Sequence, residues 1–189
     1  MEPFEYIVVL TSLILGLGIA QILTGVADIL SHIRHVKISI PHAIYVLVVF
    51  LIHIQEWWIN YQYSKIVPVW TLSVVLCILI FPILLFLQAR MLFPTGLQSK
   101  ETDLNNYYDN QWRWLFSIGT LTVAVSLMQN MYIQNLKFID NLPIIAYLII
   151  YLVFLLFNIK NKVLHIAFVS AQLLAWIIYI IVDDTALVI

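Results

Sequence analysis

His53, Glu56 and Asn60 lie at intervals of three and four within the hydrophobic stretch HAIYVLVVFLIHIQEWWIN, residues 42–60. On a helix, these intervals put all three side chains on one face. A carboxylate inside a membrane segment is costly, and it faces a bundle interior or a water-filled cavity. A His–Glu pair in such a place can take up and release a proton near neutral pH. That is the chemistry of proton-linked transport. The competing reading is a buried pair that only fixes helix packing, since polar groups also serve as interhelical glue.

Three other hydrophobic stretches carry polar residues at helical spacing. In the first, Thr11, Gly18, Gln21, Gly25, Asp28 and His32 share a face, while Ser12, Gly16 and Ala20 form a separate small-residue seam at intervals of four. Such a seam lets another helix approach closely, within the chain or from a second chain. Gly119, Thr122, Ser126 and Gln129 repeat at three or four in a later stretch, and His165, Gln172, Trp176, Tyr179 and Asp183 share a face in the last. If these stripes converge, Glu56, His53, Asn60, Gln21, Asp28, Gln129, Gln172 and Asp183 line a path across the bilayer, as a proton or ion requires.

Other chemistries find less support. Haem between spans needs two histidines at matching depth; His42 and His165 are the weak candidates, and no cofactor is expected. His32, His35 and His42 have no diagnostic metal-ligand spacing, so no metal is expected either. There is no HExxH, no G-x-S-x-G and no paired carboxylate motif, which leaves no catalytic residue to nominate. Cys77 is the only cysteine and cannot form an internal disulfide. Net charge is −1, which gives no nucleic-acid footprint.

The elements that must position these residues follow from composition. Of 189 residues, 63% are hydrophobic and 10% charged, far from the roughly 25% charge of a soluble domain. The hydrophobic runs predict an all-α polytopic membrane protein, one domain over residues 1–189. Six spans are expected at approximately 4–30, 41–61, 69–93, 112–133, 143–157 and 163–182. Pro41 suits the first turn of the second span, and Trp57, Trp58, Tyr61 and Tyr63 form an aromatic belt at its far end. Pro82 should kink the third span. Residues 94–111 are polar. They predict a short interfacial helix before the fourth span, begun by Thr102 or Asp103 as cap, with Leu104, Tyr107, Tyr108 and Gln111 at amphipathic spacing. The fifth span, apolar apart from Tyr147 and Tyr151, is expected to face lipid.

Of the nine basic residues, seven fall in the odd-numbered loops (Arg34, Lys37, Arg90, Lys100, Arg113, Lys160 and Lys162) and two, Lys65 and Lys137, in the even-numbered ones. The positive-inside rule then puts the odd loops in the cytoplasm and both termini outside. The segment FEYIVVLTSLILGLGIAQILTGVADIL, with LFP at Leu92 to Pro94 and YYDNQWRW at Tyr107 to Trp114, resembles a group of small bacterial multi-pass membrane proteins to which no activity is attached. The resemblance implies a bacterial inner-membrane setting and no functional residue. The leading expectation is therefore a transporter or channel for a small solute or ion, with the lipid bilayer as its surroundings. The alternative is a non-catalytic membrane subunit or anchor that binds a partner through its cytoplasmic loop, Pro94 to Gln111, with Tyr107 or Tyr108 as the residues whose change would lose that partner, or that forms a homo-oligomer. A b-type haem protein is third.

Overall fold

A computed structural model describes residues 3–94 and 102–182. The described residues form six α-helices: α1 Pro3–Ser31, α2 Ile40–Ile66, α3 Leu72–Arg90, α4 Leu104–Tyr132, α5 Leu142–Leu156 and α6 Lys162–Val182. Two short strands, β1 Val36–Lys37 and β2 Thr102–Asp103, pair in parallel. Proline and capping residues set several of the starts. Pro41 and Pro143 stand in the first turns of α2 and α5, where a missing N–H costs nothing. Thr71 caps α3 through Val74 N.

Three helices differ from the sequence expectation by more than one residue. α2 runs a turn further, to Ile66, because no helix breaker occurs until Pro68. α3 is shorter at both ends. The expected interfacial helix does not exist as a separate element: Leu104 to Tyr132 is one uninterrupted helix. No glycine or proline interrupts residues 104–118, and Tyr108 and Trp112 are buried in the bundle, so the amphipathic turns are simply the first turns of α4.

Asp103 starts α4. Its carboxylate accepts from the N–H groups of Asn105 at 2.9 Å and Asn106 at 3.2 Å, satisfying two of the four donors a helix start leaves open. The N–H of Asn106 leads the groups that hold this carboxyl below the usual carboxylate range. A lowered folded value stabilises the cap above the ordinary carboxylate pKa, and the contribution is lost as pH falls through the lowered value. Amide-exchange protection at Asn105 and Asn106 should therefore hold at neutral pH and fade in acid. In Asp103→Ala it should be weak at every pH.

Contacts between elements place their ends. The β1–β2 pair, the His42–Leu92 hydrogen bond and the Lys162–Asp109 ion pair gather the end of α1, the start of α2, the end of α3 and the starts of α4 and α6. At the opposite end, Tyr63 and Gln129 join the end of α2 to that of α4, and Asn130 reaches Asn141 before α5. The helices thus alternate up and down, and α2 packs against α1, α3, α4 and α6.

Five of the six helices are long and apolar enough to cross a membrane. α4 falls outside that set: its first turns hold Asn105, Asn106, Asp109, Asn110, Gln111 and Arg113, and Gln129 and Asn130 lie near its end. Leucines and isoleucines such as Leu13, Leu17, Leu76, Ile80, Leu121, Ile149 and Ile178 point outward, a surface that suits lipid and that monomeric soluble proteins rarely present. The bundle is a polytopic α-helical architecture of the membrane class.

Three apolar layers fill the interior. The largest, at the end with the odd-numbered loops, is aromatic and draws on all six helices, with Tyr45, Trp112, Phe116, Tyr151, Phe154 and Phe168 among its members. The middle layer is Leu15, Phe81 and Leu85 with Ile52 and Val125 against them. The third holds Tyr63, Val67 and Ile78. α5 consequently does not face lipid with its whole circumference, because Tyr151 and Phe154 are buried.

Candidate functional site

The α2 face carries what its spacing promised. His53, Glu56 and Asn60 are all buried, at 0%, 4% and 3% exposure. At 1.5 Å per residue, Glu56 lies roughly 24 Å from the first residue of α2 and roughly 15 Å from its last, deep within the bundle. Asn60 Nδ2 donates to the Glu56 carbonyl at 2.8 Å and approaches its carboxylate Oε1 at 3.5 Å.

His53 and Glu56 do not pair. The His53 Nδ1–H donates to the Val49 carbonyl at 2.8 Å. Nε2 is enclosed and has no hydrogen-bond partner; it faces Gly18 of α1, where there is no room for a Cβ. The three-residue spacing put both groups on one face but could not show that the backbone carbonyl one turn back captures the imidazole. Among the described residues the one ion pair joins Lys162 to Asp109, so Glu56 has no cation beside it.

One turn beyond Asn60, the Tyr63 hydroxyl donates to Gln129 Oε1 at 3.4 Å. Gln129 Nε2 donates to the Cys77 carbonyl at 2.8 Å and lies 3.5 Å from that of Ile78. These carbonyls precede Pro82, which has no N–H to return to Ile78 and whose ring crowds that carbonyl. In a membrane, freed backbone groups must be satisfied by neighbouring helices; Gln129 approaches the freed Ile78 carbonyl at 3.5 Å while its shorter bond goes to Cys77. Gln129→Leu should cost about 1–2 kcal/mol in a denaturant titration in micelles. In a Pro82→Ala background, where the backbone bond can form, the cost should shrink.

A second polar group sits on the other side of the middle apolar layer. Gln88 of α3 donates to the Tyr45 hydroxyl, which donates to the Leu115 carbonyl at 3.3 Å. Beside Tyr45 lies Tyr151, whose hydroxyl accepts from Gln172 Nε2 at 3.0 Å. Gly119 of α4 leaves the space for the Tyr151 ring. Sequence reasoning named Gln172 but missed Tyr45, Gln88 and Tyr151. A glutamine and isolated tyrosines inside apolar runs were the available signal, for each needs a partner.

The remaining expected residues stand apart. Gln21 Oε1 accepts from Arg90 Nη1 at 3.4 Å. Asp28 is exposed, and its backbone carbonyl accepts from His32 Nδ1. Asp183 lies outside the described residues. Hydrogen bonds therefore join the candidates in separate groups, and Leu15, Ile52, Phe81, Leu85 and Val125 lie between the Glu56 group and the Tyr45 group.

The haem candidates are both engaged. His42 Nε2–H donates to the Leu92 carbonyl at 2.6 Å. His165 Nε2–H donates to Ile159 O at 2.8 Å, and its Nδ1 accepts from Tyr108 at 2.9 Å. A haem iron would have to displace these bonds. No cluster of three metal-ligating side chains occurs among the described residues. Tyr108 is buried against His165, so replacing it would disturb the bundle interior and not a docking surface.

Comparison with protein-family models, curated proteins and solved structures returned no match.

Proposed function

We propose that the chain is a six-pass transporter or channel of the bacterial cytoplasmic membrane, moving a small solute or ion with proton exchange at Glu56. The observation that carries this reading is an enclosed carboxyl group deep in the bundle with no cation among the described residues to neutralise it. Intramembrane carboxylates are expensive, and those that persist mark ion and proton pathways. A carboxyl group without a cation changes its charge only by exchanging a proton.

Two further features support a moving device. Glu56 lies on the side of the middle apolar layer where Gln129 reaches the Ile78 carbonyl that Pro82 leaves without its helical donor. A polar group also lies on each side of that layer, the arrangement expected where access alternates between two faces. The six crossings include α4, which spans the bundle from end to end like its neighbours. With seven basic residues in the odd loops and two in the even ones, those odd loops are cytoplasmic and both termini outside.

The test is proton flux in liposomes that contain the purified protein, with candidate solutes present in turn. Flux that disappears in Glu56→Gln supports the reading. Flux retained in a folded Glu56→Gln protein would remove Glu56 from the mechanism and favour a subunit or anchor.

A further inference from the structure

Between the end of α3 and the first turns of α4 lies a cleft of about 340 Å³, lined by Arg90, Met91, Phe93, Pro94, Tyr107 and Gln111. This volume is within the range of small-ligand sites, roughly 300–1,000 Å³. We propose that the cleft binds a phosphate group, and that its natural carrier is the headgroup of an anionic phospholipid.

The chemistry of the lining divides in two. Arg90 supplies a fixed positive charge and a planar fork of N–H donors, the geometry that matches phosphate oxygens. Its only hydrogen bond within the described residues is the 3.4 Å approach to the neutral Gln21, and no carboxylate among them pairs with it. Among the described residues, its guanidinium charge is therefore not neutralised by a carboxylate. Gln111, half-buried, adds an amide donor. Met91, Phe93 and Pro94 supply the apolar side of the cleft, which a free ion would not use and the glycerol and acyl carbons of a lipid would.

The cleft is built by the fold. Tyr107 donates its hydroxyl to the Met91 carbonyl at 3.0 Å and so pins the start of α4 to the end of α3. Arg90 is the last residue of α3, so its side chain stands where an apolar helix reaches the membrane boundary. The described basic residues Arg34, Lys37, Arg113, Lys160 and Lys162 belong to the same end of the bundle. Basic pockets between helices at such a boundary take anionic headgroups.

The same oxyanion chemistry would accept a soluble organophosphate, and binding experiments separate the two. The full chain, delipidated in a neutral detergent, is titrated with short-chain phosphatidylglycerol, short-chain phosphatidylcholine and inorganic phosphate, with binding followed by native mass spectrometry or calorimetry. Phosphatidylglycerol should bind well above phosphatidylcholine, and Arg90→Gln should weaken it roughly tenfold or more, with Arg90→Lys between the two. Inorganic phosphate that binds as tightly, competes with the lipid and needs Arg90 would keep the phosphate site and make a soluble phosphate compound its ligand. If Arg90→Gln fails to fold, Gln111→Leu on the rim should still weaken phosphatidylglycerol several-fold. Equal binding of the two lipids, unaffected by either substitution, overturns the proposal.

Discussion

In Glu56→Gln, proton flux falls to the level of protein-free liposomes while the protein folds and inserts as before. Glutamine keeps the volume and retains a carbonyl oxygen for Asn60 Nδ2, which already spends its shorter contact, 2.8 Å, on the Glu56 backbone. Little packing is lost, so structure is preserved and only the exchangeable proton is removed. Because the carboxyl has no cation among the described residues, its removal strands no buried positive charge, which is the usual penalty for breaking an intramembrane pair. His53→Gln is the informative companion. His53 donates to Val49 and forms no hydrogen bond with Glu56, so its loss should leave the Glu56-dependent flux measurable, although altered if the imidazole governs access past Gly18. Were Glu56 and His53 a working pair, the two substitutions would be equally complete. A Glu56→Gln protein that melts or denatures much earlier than wild type would instead identify the carboxyl as packing.

Much of this architecture was legible in the sequence because hydropathy and helical spacing are local properties. The existence of each helix, the central place of α2 and the shared face of His53, Glu56 and Asn60 follow from periodicity alone. What periodicity omits is the neighbour. It puts His53 and Glu56 on one face but cannot weigh Glu56 against the Val49 carbonyl, which wins because it lies one turn back on the same helix. Gln129 reads as one member of a stripe. That it satisfies carbonyls before Pro82 needs the α3–α4 contact. α4 reads as two pieces because polarity changes at Trp112, yet the backbone has no reason to break there. The two α1 faces show the same limit. The Ser12–Gly16–Ala20 seam has the spacing of a close helix contact, yet Gly16 meets nothing within 4 Å. Gly18 and Gly25, seven residues apart, are the glycines that neighbours press upon.

Those glycines give the sharpest test of the packing. A Cβ at Gly18 would fall within van der Waals distance of His53 Nε2 and 2.8 Å from its Cδ2. The ring cannot step aside freely, because Nδ1 is tethered to Val49 at 2.8 Å. Gly18→Ala should therefore destabilise the folded bundle by about 1–3 kcal/mol, the usual cost of overpacking, despite the better helix propensity of alanine. In a His53→Ala background the obstacle is gone, and the same substitution should be neutral or stabilising. The resulting coupling, of order 1–3 kcal/mol, is read from a double-mutant cycle in a micelle denaturation series. Gly25→Ala should behave like Gly18→Ala, since the Phe93 ring occupies its space. Gly16→Ala supplies the control on the same helix: with open space around it, the change should stay within about 0.5 kcal/mol or stabilise. Equal costs at Gly16 and Gly18 would mean that α1 packs on α2 through some other face. A cost at Gly18 that survives the loss of His53 would mean that the helix backbones, and not the imidazole, set the distance between α1 and α2.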